Sequence, residues 1–167
     1  MRNIELKARL VDFDRARKTA ESIAEKRLGV HRQTDTYFRC HHGRLKLRQV
    51  EHVPGQLVWY ARADEPGAKA SDYQVVPVAN PETLKAALTA ALGVWIVVEK
   101  QREIFLWHNV RIHLDRVEGL GEFIEFEAVL TDGEDDASGH ARLDELVERF
   151  HIEEDHFVPV SYSDLLG

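Results

Sequence analysis

Cysteine is almost missing from this chain: Cys40 stands alone among 167 residues. A lone thiol cannot close an internal disulfide, and a thiolate zinc site needs a second sulfur at ligand spacing, so both frameworks are excluded. A reducing compartment fits that usage. Long apolar runs are missing too. The first thirty residues carry Arg2, Glu5, Lys7, Arg9 and Asp12 where a signal peptide requires unbroken apolar sequence, and no segment approaches the roughly 20 apolar residues of a membrane span. The expectation is a cytoplasmic protein with no membrane partner. Nor is there a basic excess: 22 Lys and Arg against 29 Asp and Glu leave a net charge of −7, which argues against nucleic acid as a partner. Repeats and low-complexity tracts are also lacking, so residues 1–167 read as one domain without a linker.

What is present is a globular composition, 44% hydrophobic and 31% charged, with its charges unevenly placed. From Val30 to Ala63 six basic residues face two acidic ones, a net of +4. From Asp115 to Asp155 fifteen acids face three arginines, a net of −12. A fold that joins these segments sets a cationic wall against an anionic one.

Few helices are signalled. Asp12 can cap a helix with Phe13, Ala16, Ala20, Ile23 and Ala24 on its apolar face and Gly29 as its stop. A second has Asn80 as cap, Pro81 at its first position, Leu84, Ala87, Leu88, Ala91 and Leu92 on one face, and Gly93 at its end. A third carries Leu143, Leu146, Val147 and Phe150. Between them, alternating segments predict strands near 2–10, 33–40, 44–52, 56–63, 72–78, 94–107, 110–118 and 121–130. His42-Gly43, Pro54-Gly55, His108-Asn109 and Gly119-Leu120-Gly121 read as the turns. The fold class is α+β: eight mainly hairpin-linked strands forming an antiparallel sheet large enough to curl or close.

Alternation then sorts side chains onto two faces. Asn3, Glu5, Lys7 and Arg9 share one face of the first strand, opposite Ile4, Leu6 and Ala8. Arg44, Lys46 and Arg48, then Lys100 and Arg102, then Arg111, His113 and Asp115, then Glu125 and Glu127 follow the same rule. A charged face can simply meet solvent while the apolar face packs under helices. Solvated faces, however, usually mix both signs with Ser and Thr. Closing the sheet with the charges inward makes a polar tunnel instead, and such a lumen requires a charged guest.

Four motifs, Asn3-Ile4-Glu5-Leu6-Lys7, Gly43-Arg44-Leu45-Lys46-Leu47-Arg48, Glu99-Lys100-Gln101-Arg102 and the stretch from Leu114 to Glu127, resemble the CYTH superfamily, the triphosphate tunnel metalloenzymes. The likeness runs in order to the terminal Ser161–Gly167 and is nearest to the class IV adenylyl cyclase branch. It implies an eight-stranded antiparallel barrel whose lumen holds a triphosphate and Mg²⁺ or Mn²⁺. By the same resemblance, Glu5, Asp115, Glu125 and Glu127 are metal ligands, and Lys46, Arg48, Arg62, Lys100 and Arg102 bind the triphosphate. Lys7 and Arg102 are the catalytic candidates. The family's first-strand motif is Glu-x-Glu-x-Lys, and Asn3 stands where its first glutamate would be. Conversion of ATP to cyclic AMP and pyrophosphate is the leading activity implied, in a homodimer. Tripolyphosphatase, nucleoside triphosphatase or thiamine triphosphatase activity uses the same lumen, and a noncatalytic binder of polyphosphate or nucleotide is a third reading.

The chemistry suits this mixture of residues. A triphosphate carries about four negative charges, and phosphoryl chemistry is accelerated chiefly by positioning and charge neutralisation, which arginine forks supply. Hard dications take carboxylate oxygen. Other constellations explain less: adjacent His41 and His42 point to opposite faces of a strand, Cys40 has no neighbouring base, and Tyr37, Phe38, Trp59, Tyr60 and Trp107 read as barrel-wall packing.

Overall fold

A computed structural model describes all 167 residues. The order is β1 (Arg2–Arg9), α1 (Phe13–Ile23), β2 (Lys26–Phe38), β3 (Arg44–Val50), β4 (Val53–Arg62), β5 (Lys69–Val78), α2 (Pro81–Leu92), β6 (Val94–Trp107), β7 (Val110–Val117), β8 (Gly121–Val129), α3 (Asp136–Arg149) and α4 (Tyr162–Leu166). The strands close into a barrel in the order β1-β5-β4-β3-β2-β6-β7-β8, and every pair is antiparallel. The α+β expectation of eight antiparallel strands with flanking helices is what the chain forms.

The main apolar core lies outside the barrel wall. Ile4, Leu6 and Ala8, Phe105 and Trp107, Ile112 and Leu114, and Ile124 and Phe126 present one continuous apolar surface, buried beneath Phe13, Ala16 and Ala20 of α1 and Leu143 and Leu146 of α3. α2 does the same on the opposite side, where Leu84 and Leu88 pack on Phe38, Leu45, Leu47 and Val78. A third cluster joins Tyr37, Val98, Val117 and Phe123 of four strands to Val158, Tyr162, Leu165 and Leu166 of the C-terminal segment. That segment closes one end of the barrel. The hydrophobic surfaces are thus satisfied externally and at one end, and the alternating side chains are left to line the interior.

The first two helices begin where the sequence places them: Asp12 accepts from the Arg15 amide and Asn80 from the Thr83 amide. Three expectations are corrected. Gly29 does not end α1, which stops at Ile23; with φ +88° it sits at a register shift in β2, whose Lys26–Val30 portion pairs with the far end of β6. Fourteen residues of β6 need a partner along their length, and that pairing draws a weakly patterned segment into a strand. Pro54-Gly55 is inside β4, and the turn falls at Glu51-His52, with His52 at φ +63°. Gly55 is still required, because a Cβ there would lie 2.9 Å from Pro81 at the start of α2. His41 and His42 occupy the β2–β3 loop, not a strand, and α4 carries no periodic signal long enough to be read from sequence.

Gly139 marks the tightest helix-to-barrel approach. A Cβ at this position of α3 would meet Ile4 Cγ1 at 2.6 Å, and Ile4 is fully buried. Alanine would gain about 1 kcal/mol of helix propensity, but overpacking against an immobile core residue costs about 1–3 kcal/mol. Gly139→Ala should therefore lower stability in urea unfolding. Increased stability would show that α3 has room to move away from β1.

Candidate active site in the barrel lumen

The lumen holds a cavity of about 330 Å³ lined by the inward side chains of all the strands except β7's buried half, together with Ser161 and Tyr162 from the closing segment. Ten positions singled out from sequence, Glu5, Lys7, Lys46, Arg48, Arg62, Lys100, Arg102, Asp115, Glu125 and Glu127, all point inward. The structure sorts them into three ionic groups.

The first is organised by Asp35, which is 1% exposed. Its carboxylate accepts from Arg48 Nε at 2.9 Å and Nη2 at 3.0 Å and from Lys46 Nζ at 2.9 Å, with Lys100 Nζ at 4.0 Å. Burial pushes this carboxyl up, yet Arg48 and Lys46 outweigh it and hold the group well below the usual carboxylate range. β2–β3 register explains the meeting, since Asp35 pairs with Arg48 and Tyr37 with Lys46. Asp35 shares the inward parity of Gln33 and Tyr37, so its position was readable; its surplus of cationic neighbours was not.

The second group is built across β6, β7 and β8. Arg102 donates to both oxygens of Asp115, at 2.7 and 2.6 Å, and Tyr162 Oη donates to the same carboxylate at 2.8 Å. Asp115 is fully buried, and Arg102 and Lys100 depress its pKa against the opposing effect of burial. Glu125 is differently placed. Its contacts with Arg102, His113 and Lys7 are 3.4, 3.4 and 3.5 Å, long for charged hydrogen bonds. Lys7 Nζ also lies 4.0 Å from the centre of the Tyr162 ring, and Lys100 Nζ lies 4.9 Å from it.

Glu5 and Arg62 form the third group, with Nη1 and Oε1 2.6 Å apart. Two buried polar atoms beside it have no hydrogen-bond partner, Arg62 Nε and Asn3 Oδ1. One is a donor and the other an acceptor, and both residues face the cavity.

Burial lowers the basicity of the two lysines. The Lys7 ammonium is pushed down by desolvation, an effect that nearby Arg62 reinforces and Glu125 opposes. Desolvation and Arg102 bring Lys100 down to about 7. Metal-binding capacity is concentrated elsewhere: ligand atoms of His113, Glu125 and Glu127 all lie within 4.8 Å of one another. Asp115 is not in that cluster, being committed to Arg102 and Tyr162, and Glu5 is held by Arg62. Hence the four acidic positions expected to bind metal do not converge on one point. Arg44, on the same face as Lys46 and Arg48, is tied to Asp64 and Asp164 at the closed end. Tyr37 and Tyr60 line the cavity, with hydroxyls 3.4 Å apart, whereas Phe38 and Trp107 belong to the outer packing.

A sequence model of the CYTH domain matches residues 1–162. This chain belongs to the CYTH family. CYTH members are adenylyl cyclase-like enzymes or triphosphatases, and they depend on metal. Among solved structures, the PH1012 protein of Pyrococcus horikoshii has a TM-score of 0.88 at 23% identity, over 98% of each chain. A candidate adenylate cyclase from Vibrio parahaemolyticus has a TM-score of 0.79 at 22% identity, over 98% of this chain and 97% of that one. A Hippeastrum protein, named as a candidate adenylyl cyclase with a dominant triphosphatase activity, has a TM-score of 0.66 at 14% identity, over 98% and 93%. At these identities the likeness establishes the CYTH fold alone. No curated protein sequence matches the chain.

The depressed Lys100 pKa gives the lumen a proton signature. At about pH 8 a lysine titrating near 7 is mostly neutral, and a polyanion beside it stabilises the ammonium and raises its pKa. Binding of tripolyphosphate should therefore take up protons, which calorimetry in buffers of different ionisation enthalpy measures. Lys100→Met should reduce the uptake. Binding without proton uptake would mean that Lys100 is already charged in the free protein.

Proposed function

We propose that this CYTH protein is a divalent-metal-dependent enzyme acting on an organic triphosphate, whose phosphates enter the lumen and whose organic group stays at the mouth. The carrying observation is the convergence of Lys7, Lys46, Arg48, Arg62, Lys100 and Arg102 on one cavity together with a cluster of metal-ligating atoms. Met1, Val58, Tyr73 and Val75 also line that cavity and offer apolar surface to the part of a substrate that is not phosphate.

Arg48 and Arg102 are positioning forks. Each guanidinium is fixed by a buried carboxylate, Asp35 or Asp115, so that its charge is oriented before substrate arrives. On this reading Asp115 acts through Arg102, and Glu125 and Glu127 hold the cation. The chemistry of those donors fits a hard or borderline dication. When bound, such a cation neutralises phosphate charge and stabilises the departing oxygen.

The leading reaction is cyclisation of ATP. The ribose 3′-oxygen bonds to the α-phosphorus, the bond from that phosphorus to the bridging oxygen breaks, and pyrophosphate leaves with the bond's electron pair. Lys7 Nζ takes the 3′-hydroxyl proton. An ordinary lysine is too basic to be free of a proton at neutral pH, and burial beside Arg62 moves Lys7 in the required direction. A second reading puts water in place of the ribose hydroxyl and yields a triphosphatase. It is favoured by Glu127, the second carboxylate that resembles those of triphosphatase relatives.

Incubation with ATP, tripolyphosphate and thiamine triphosphate, each with Mg²⁺ or Mn²⁺, separates the readings by product. Cyclic AMP identifies the cyclase, orthophosphate the hydrolase, and tight binding without turnover a noncatalytic binder. Arg102→Ala and Lys100→Ala should each lower turnover on the order of 10²-fold, the usual cost of one preorganised charge contact, with circular dichroism checking that Arg102→Ala folds although it takes from buried Asp115 its bidentate partner. Unchanged rates in both would remove the lumen from the reaction. Glu125→Gln should abolish divalent-dependent turnover, and a chelator should mimic it; full activity of this variant at low metal would make the acidic wall structural.

A further inference from the structure

We propose that the dication in this lumen is held by a mixed nitrogen and oxygen set, His113 Nδ1 with Glu125 and Glu127, and that the site consequently prefers a first-row transition dication such as Mn²⁺ or Co²⁺ to Mg²⁺. The inference rests on the metal-dependent reading above and specifies its ligands.

Three observations carry it. The ligand atoms of these three residues lie within 4.8 Å of one another, close enough for one ion to reach them all after small rotamer adjustments. Glu125 is the buried carboxylate without a short partner. Its three contacts are 3.4 to 3.5 Å, whereas Asp35 and Asp115 each accept three hydrogen bonds at 2.6 to 3.0 Å. A carboxylate 9% exposed with only long contacts retains lone pairs for a stronger ligand. The third is Asn3, which is 6% exposed and whose Oδ1 accepts from nothing. Asn3 pairs with Val129 and Glu5 with Glu127, so Asn3 and Glu127 are diagonal neighbours on the inward face. A cation or its bound water between them would satisfy the amide oxygen.

Donor chemistry then sets the preference. Two carboxylates neutralise a dication, and the imidazole adds a neutral nitrogen donor. Mg²⁺ favours oxygen and gives up water reluctantly, while affinity for nitrogen-containing sites rises along the first-row series. Glu125 and Glu127 stand two residues apart on β8, and His113 pairs with Glu125 across the ladder to β7. All three therefore share the inward side of two adjacent strands, with Glu125 and Glu127 in the cavity lining and His113 buried beside Glu125.

The test uses the metal alone, without substrate. Pulsed electron paramagnetic resonance of Mn²⁺ added to the metal-free protein should show coupling to a histidine nitrogen. His113→Gln should abolish that coupling and raise the Mn²⁺ dissociation constant at least about tenfold, while changing the much weaker Mg²⁺ binding less. If His113→Gln does not fold, Glu127→Gln, at the partly exposed end of the cluster, must weaken Mn²⁺ binding at least about tenfold while the Mn²⁺ that still binds keeps its nitrogen coupling. Bound Mn²⁺ without nitrogen coupling, coupling that survives in folded His113→Gln, unchanged Mn²⁺ affinity of Glu127→Gln, or no Mn²⁺ binding at millimolar concentration would each overturn the proposal. Triphosphate turnover is measured separately, so loss of the proposed reaction with nitrogen coupling intact, or the reverse, shows which of the two inferences has failed.

Discussion

Desolvation of charge inside a closed barrel is the constraint on which the rest of this structure depends. Taking a single ion out of water costs several kcal/mol unless an opposite charge and hydrogen bonds replace the solvent. Asp35 and Asp115 meet that requirement for the lumen: between them they fix Lys46, Arg48 and Arg102, with Lys100 within 4.0 Å of both. Neither carboxylate could be removed without leaving buried cations uncompensated. The outer surface follows from the same constraint. Because the inward face is spent on charge, the barrel's hydrophobic stabilisation must come from outside, from α1 and α3 on one flank and α2 on the other.

Most of this arrangement was legible in the chain because period-two alternation is a strong signal when charge concentrates on one face of several strands. Lys7 opposite Leu6, Arg102 opposite Phe105 and Glu125 opposite Phe126 already separate lumen from wall. What alternation does not show is closure or partnership. Asp35 lay in plain view within a basic stretch, but its role emerges only when β2 pairs with β3 and brings Arg48 beside it. The division of labour among the carboxylates was likewise hidden. Asp115 and Glu125 share an inward parity, and only the ladder decides that one is gripped at 2.6 Å by Arg102 while the other keeps longer contacts.

The elements that were missed share a physical reason. Lys26–Val30 and α4 are specified by what they touch rather than by their own pattern: the first by the far end of β6, the second by the open end of the barrel. α4 has five residues, too few to be stable by itself. It is held by a capping box between Ser161 and Asp164, by the Arg44–Asp164 ion pair, and by burial of Tyr162 against Phe123. Tyr162 also touches Asp115 and lies beneath Lys7, so the plug that closes the barrel is part of the site's floor.

Charge balance explains why a tunnel of this kind suits a metal complex of a polyanion better than the polyanion alone. Six inward basic side chains stand against five inward carboxylates, Glu5, Asp35, Asp115, Glu125 and Glu127, and burial lowers the basicity of two of the six, Lys7 and Lys100, so the lumen carries no large positive excess. Asp35 and Asp115 already claim part of the positive charge. A triphosphate of about four negative charges would find attraction at Arg48 and Arg102 but repulsion at Glu125 and Glu127. A dication beside those two glutamates converts the repulsive wall into an attractive one. On the proposed reading, the carboxylates that oppose the bare anion would then be the ones that admit its metal complex, and the same pair would discriminate between the two.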